Sequence, residues 1–153
     1  MTAATAELEF APTAWASPLR WLHWGIAALI FAAIGLGVTA IYMPHTPLRS
    51  EVLDVHKSIG VTVLGLVALR IVVRLAVAAP KYMPPLDVFT RHASELGHLA
   101  LYGLMIALPL SGYVYSSAGN HPFDWFGLFP FPMEVGRDDA LGKLASETHY
   151  ILA

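Results

Sequence analysis

The sequence predicts an all-α membrane protein: a four-helix bundle of three complete transmembrane helices plus the start of a fourth. Three observations carry this. Hydrophobic residues fill 56% of the 153 positions and charged residues 13%, with a mean hydropathy of +0.59; a soluble domain has about 45–50% apolar and about 25% charged residues. Three apolar runs reach the length of about 20 residues that crosses a bilayer. Each run closes on proline or glycine punctuation.

The elements follow in order. Residues 1–18 are acidic and proline-containing (Glu7, Glu9, Pro12, Pro18) and read as an N-terminal cytoplasmic segment. The first span runs Leu19–Met43 and closes at "MPHTP". It is too long for a signal-peptide core and no small-residue cleavage site follows it, so it reads as retained. The second span runs Val52–Ala78 and closes at "APKYMPP"; the third runs Ala93–Ala118 and closes at "AGNHP". Gly119–Asp139 reads as a loop rich in Pro, Gly and aromatics. A fourth helix, "DALGKLASETHYILA", starts at Asp139 with an acidic N-terminus. The chain stops at Ala153, short of a crossing, so the expectation is a domain over 19–153 truncated in its fourth helix. No repeats or low-complexity tracts are evident.

Composition also excludes. A net charge of -2 gives no electrostatic footprint for nucleic acid. With no cysteine, disulfides, thiol chemistry, iron–sulfur clusters and c-type haem attachment are ruled out. Lys and Arg counts orient the spans. With the N-terminus inside, the inner face holds Arg20, Arg70, Arg74, Lys81 and Arg91, and the outer face holds Arg49, Lys57, Arg137 and Lys143. This small excess favours a cytoplasmic N-terminus. Trp15, Trp21, Trp24, Tyr42, Tyr115 and Trp125 cluster at the rims as an interfacial belt. Small residues in the first span, "GLG" and the Gly35–Thr39 spacing, suit close helix packing.

Seven histidines are the good nitrogen ligands. His45, His92 and His121 fall in loops or at loop edges. The other four sort by depth into two layers: His23 and His98 at the inner side, His56 and His149 at the outer side. An ionisable residue in a span is costly unless it has a partner or faces a polar site. Haem iron held by two imidazoles meets that need, given two histidines at one depth on facing helices. His56 and His149 meet the depth condition. A single histidine near a helix end is most often an interfacial polar residue, and only for the outer pair taken together do the two readings weigh evenly. Arg74 lies five turns beyond His56 on the same face, roughly 27 Å away, and Arg70 lies one turn shallower within about 40° of it. Guanidinium groups there suit haem propionates; snorkelling interfacial anchors explain them as well.

The stretches "RWLHW", "VHKSIG" with "LRIVVRL", "LGHLALYGLMIALPLSGY", "NHPFDWFGLFPFP" and "ETHYILA", in this order, resemble bacterial cytochrome b561 over Arg20–Ala153. The family comprises four-helix, dihaem b-type cytochromes of the bacterial inner membrane. The resemblance implies that His23 and His56 are axial ligands of different haems b and that His149 partners His56. It places the second inner ligand about four turns further along helix four, roughly at position 163, beyond Ala153. It gives His98 a place lining the inner haem or a quinone pocket; completing the inner haem is an alternative. Lys57 would pair with outer propionates or draw an anion, or is simply a solvated helix-end cation.

The activity implied is electron transfer through two haems to or from the quinone pool, which some members couple to superoxide oxidation with ubiquinone as acceptor. The acidic excess of the outer face argues against attraction of superoxide. Partners expected are quinone, the lipid bilayer and a second copy in a homodimer. Two rivals stand: a membrane b-type subunit of a hydrogenase or formate dehydrogenase complex, and a haem-free structural or transport bundle.

Overall fold

The structure, a computed structural model, describes residues 16–77 and 87–153. Lys81, the residue Ala78 that closes the second expected span, and all but the last three residues of the 1–18 segment lie outside the described residues.

Among the described residues, four helices account for most of the structure. They are α1 (Ser17–Tyr42), α2 (Pro47–Ala76), α3 (Val88–Ala118) and α4 (Asp139–Leu152). Between α3 and α4 sits a small antiparallel hairpin, β1 (Asp124–Trp125) and β2 (Phe129–Pro130). In its register Asp124 faces Pro130 and Trp125 faces Phe129. The first three helices are long and apolar enough to cross a membrane. The chain is a multi-pass membrane protein.

The first three helices begin earlier than apolar patterning alone indicates, for local reasons, and the fourth begins at Asp139 as expected. Proline stands in the first turn of α1 and of α2, where its missing amide costs nothing. Helix α2 therefore starts at Pro47 rather than Val52, carrying a polar first stretch. Helix α3 starts at Val88 because Asp87 caps it, accepting the Thr90 amide at 3.0 Å. The Thr90 side chain also bonds Asp87, which holds that carboxyl below its ordinary range. His92, expected at a loop edge, is thereby drawn into the helix, 3.6 Å from Glu95. Helix α4 is capped by Asp138, whose carboxylate accepts from the Ala140 and Leu141 amides. At the far end of α1, Arg49 Nε donates at 2.9 Å to the orphan carbonyl of Ala40.

In chain order, α1 packs on α2, α2 on α3, and α3 on α4. The apolar core is narrow. Ile26, Ile59, Val63 and Val67 form it, with Leu29, Ile30 and Met105 against them. Large apolar side chains point outward: Phe31 is 75% exposed and Leu75 82%. In water such a surface would be untenable; in lipid it is the solvent-facing one. Association of the helices then rests on packing and polar contacts rather than on apolar burial.

The segment expected as a plain loop is instead a folded cap. Its hairpin turns at Phe126 (φ 49°) and Gly127 (φ 71°), and glycine is the residue that takes that conformation freely. Buried Ser58 of α2 accepts the Phe126 amide at 3.0 Å and donates to the Asp54 carbonyl at 2.7 Å. Trp125 Nε1 donates to Thr62 Oγ1 at 3.1 Å. From the other side, the Ser117 hydroxyl meets both the amide and the carbonyl of Val135. Phe123 and Phe131 stack at 5.3 Å between these anchors. The cap ties the start of α2 to the end of α3, over the end of the bundle that carries His56 and His149.

Candidate functional site

The site is built from two histidines on helices that are not direct neighbours in the packing order. His56 lies in the third turn of α2, and its half-buried ring leans on α1. Its Nδ1 is 2.9 Å from the carbonyl of Ala33. His149 lies near the end of α4 and leans on α3, with Nδ1 2.9 Å from the carbonyl of Leu108. The Ser111 hydroxyl, 3.3 Å from that Nδ1, donates to the same carbonyl at 2.8 Å. A carbonyl only accepts, so each Nδ1 carries the proton and donates. Each Nε2 is then left with a free lone pair, the form of imidazole that binds metals.

The two rings come together with centroids 6.1 Å apart and planes at 89°. An imidazole on a first-row metal holds its ring centre about 3.1–3.2 Å from the ion, from a bond of about 2.0–2.1 Å plus about 1.1 Å inside the ring. Two imidazoles on opposite sides of one ion thus sit about 6.3 Å apart. The observed spacing suits one ion between them. Among the described residues, no three His, Asp or Glu side chains converge as a bare ion needs. Two imidazoles alone suit a metal whose remaining ligands arrive with it, as in haem.

Glycines make room for both rings. A Cβ on Gly37 would stand 3.1 Å from Cε1 of His56, and one on Gly112 would stand 3.0 Å from Cε1 of His149. Each glycine lies one helical turn beyond the carbonyl that its histidine uses. Gly37 belongs to the "GLG" stretch read only as suiting close helix packing, and Ala33, Leu108 and Gly112 are absent from the residues that the sequence singles out. The available signal was a glycine inside an apolar span, which marks a close approach.

The opposite end of the bundle is arranged differently. His23 is exposed, edge-on to Trp24 at 5.2 Å. Its Nδ1 accepts from Arg70 Nη1 at 2.8 Å. A guanidinium cannot accept, so this Nδ1 carries the lone pair and the proton sits on Nε2. Arg70 Nε is buried without a hydrogen-bond partner. Among the described residues no second imidazole meets His23. His98 bonds within its own helix, to the Ser94 carbonyl at 2.7 Å, on an exposed stretch of α3. Arg74, one turn beyond Arg70, is half-buried and engaged.

Lys57 follows His56 but faces the cap. Its ammonium is 3.2 Å from Asp54 and 3.4 Å from the His121 carbonyl, and lies 5.4 Å from the centre of the Phe123 ring.

Comparison with known proteins adds a second line. A model of the family described as prokaryotic cytochrome b561 matches residues 14–153. Cytochrome b561 homolog 2 of Escherichia coli (strain K12) is 30% identical over 132 residues, which is 86% of this chain and 70% of that protein.

Proposed function

Because the chain belongs to the prokaryotic cytochrome b561 family, we propose that it is a quinone-linked electron carrier whose His56 and His149 hold the iron of one haem b. That it is a membrane b-type cytochrome for electron transfer follows from the family. The ligand assignment is carried by a single observation: two imidazoles with centroids 6.1 Å apart, each donating Nδ1–H to a helix carbonyl and so keeping Nε2 free.

When bound, haem b supplies a one-electron ferric–ferrous couple. The chain's own residues supply the rest. Ala33 and Leu108 set the histidine tautomers through their carbonyls. The cap, held by Ser58, Thr62 and Ser117, keeps water from that end of the bundle, and Lys57 acts by pinning the cap rather than by meeting substrate. His56 and His149 would hold the iron between them, and two imidazoles there would suit electron transfer rather than binding of oxygen.

Toward the other end we place a second haem, with His23 as one ligand. To serve as a ligand through Nε2, His23 would release Arg70 from Nδ1, so that its one proton could sit on Nδ1 instead. The freed guanidinium, with its unpartnered Nε, suits a propionate, and Arg74 serves the same edge. His98 lines this region, beside a quinone site. We take residues 19–153 as one domain in the bacterial inner membrane with its N-terminus in the cytoplasm, working with the ubiquinone pool and forming a homodimer. Superoxide is the electron donor to test first.

Purified with adequate haem supply, the protein should show a reduced-minus-oxidised spectrum of b-type haem. His56→Ala and His149→Ala should each abolish the component the pair holds. A colourless protein, or full haem content in both variants, would overturn the assignment. Stopped-flow addition of superoxide should reduce the haem, and a ubiquinone analogue should reoxidise it; failure of both would remove the quinone-linked reading.

A further inference from the structure

The two histidine seats are copies of each other. His56 uses the carbonyl of Ala33 and the bare backbone of Gly37 on α1. His149 uses the carbonyl of Leu108 and the bare backbone of Gly112 on α3. Leu108 and Gly112 follow Ala33 and Gly37 at one shared interval, 75 residues. The same interval separates His23 from His98. The α1–α2 and α3–α4 helical hairpins therefore present one device twice, a seat on the first helix and a histidine on the second.

In both seats the carbonyl and the glycine stand one turn apart on one face, and the ring lies over the backbone between them. A ring so placed is held on two sides. The Nδ1–H···O bond stops it turning outward, and the backbone at glycine stops it sliding inward. An added methyl at Gly37 or Gly112 would meet the ring at 3.0–3.3 Å, so the ring would have to yield by a few tenths of an ångström. It cannot do so without lengthening its 2.9 Å bond to the carbonyl. The two seats together set the rings at 89° to one another.

From this we infer that Gly37 and Gly112 are positioning residues that fix the crossed orientation of the two axial imidazoles. The inference rests on the proposed ligand pair. Ring orientation is a lever on the electronic structure of a bis-imidazole haem, alongside the hydrogen bonds of its ligands. Crossed planes give ferric iron a strongly anisotropic low-spin EPR signal, and planes rotated toward parallel give a rhombic one.

The test is EPR of the oxidised, haem-loaded full chain. The signal lost in His149→Ala identifies the site. Gly37→Ala and Gly112→Ala should each shift it toward a rhombic form and should move the reduction potential of that haem alone. Gly35→Ala on α1 and Gly103→Ala on α3 make the same change in helix propensity at glycines with nothing within 4 Å, and should leave both readouts unchanged. Loss of haem from a seat variant that its control retains also supports the seat. Seat variants with the spectrum and potential of the unsubstituted protein overturn the inference while leaving the ligand pair intact. An unsubstituted chain that takes up no haem overturns the pair, and the inference with it.

Discussion

At the scale of single residues, the site turns on where protons sit. His56 and His149 donate from Nδ1 because their neighbours are carbonyls. His23 accepts at Nδ1 because its neighbour is a guanidinium. The same side chain is thus prepared for metal at one end of the bundle and held back from it at the other. Nitrogen-15 NMR of the haem-free protein reads this directly. His56 and His149 should show the Nδ1–H tautomer and His23 the Nε2–H tautomer, and Arg70→Leu should remove the bias at His23. An unchanged His23 spectrum in that variant would count against the contact. None of this is legible from residue order. A histidine's tautomer depends on which atom another helix brings to it, here residues 23 to 47 positions distant.

At the scale of elements, capping decides where the helices begin and what they carry. Asp138 satisfies two amides of α4, the helix that delivers His149. Asp138→Ala should cost about 1 kcal/mol, seen as a lower thermal midpoint, and should weaken haem retention at the proposed pair. The cap depends on Ser58, which is fully buried and bonded on both sides. Ser58→Ala leaves the Phe126 amide unpaired, a cost of about 1–3 kcal/mol. Limited proteolysis should then cut between residues 123 and 131 faster than in the unsubstituted chain; equal rates would show that the cap is held by its aromatic stack alone. The helices were readable as apolar runs closed by Pro or Gly, with an acidic start for the fourth. The hairpin was not, because its strands are two residues long and are ordered by Ser58 and Thr62 rather than by their own pattern.

At the scale of the whole molecule, the surface is apolar and the core is thin. Exposed Trp21, Phe31, Val72 and Leu75 ring the helices, whereas the buried core cluster is four aliphatic residues. The chain should therefore stay with the membrane pellet through an alkaline carbonate wash and leave it only in detergent; release by carbonate alone would contradict the spanning helices. The repeated seat also belongs to this scale. The matched positions are His23 and His98, Ala33 and Leu108, Gly37 and Gly112, too few and too far apart to register as a sequence repeat. Only when α1 packs on α2 and α3 on α4 do they become the same contact made twice.

What the sequence determined alone was the solvent of the protein, the number of its helices and the family resemblance carried by "RWLHW", "VHKSIG" and "ETHYILA", because hydropathy and short motifs are properties of adjacent residues. Depth along a helix also followed, since rise per residue is constant. The tertiary structure decided which histidines meet, which nitrogen each one offers, and which backbone makes room for the ring. Those depend on the rotation of one helix about its axis against another, and no count along the chain sets that angle.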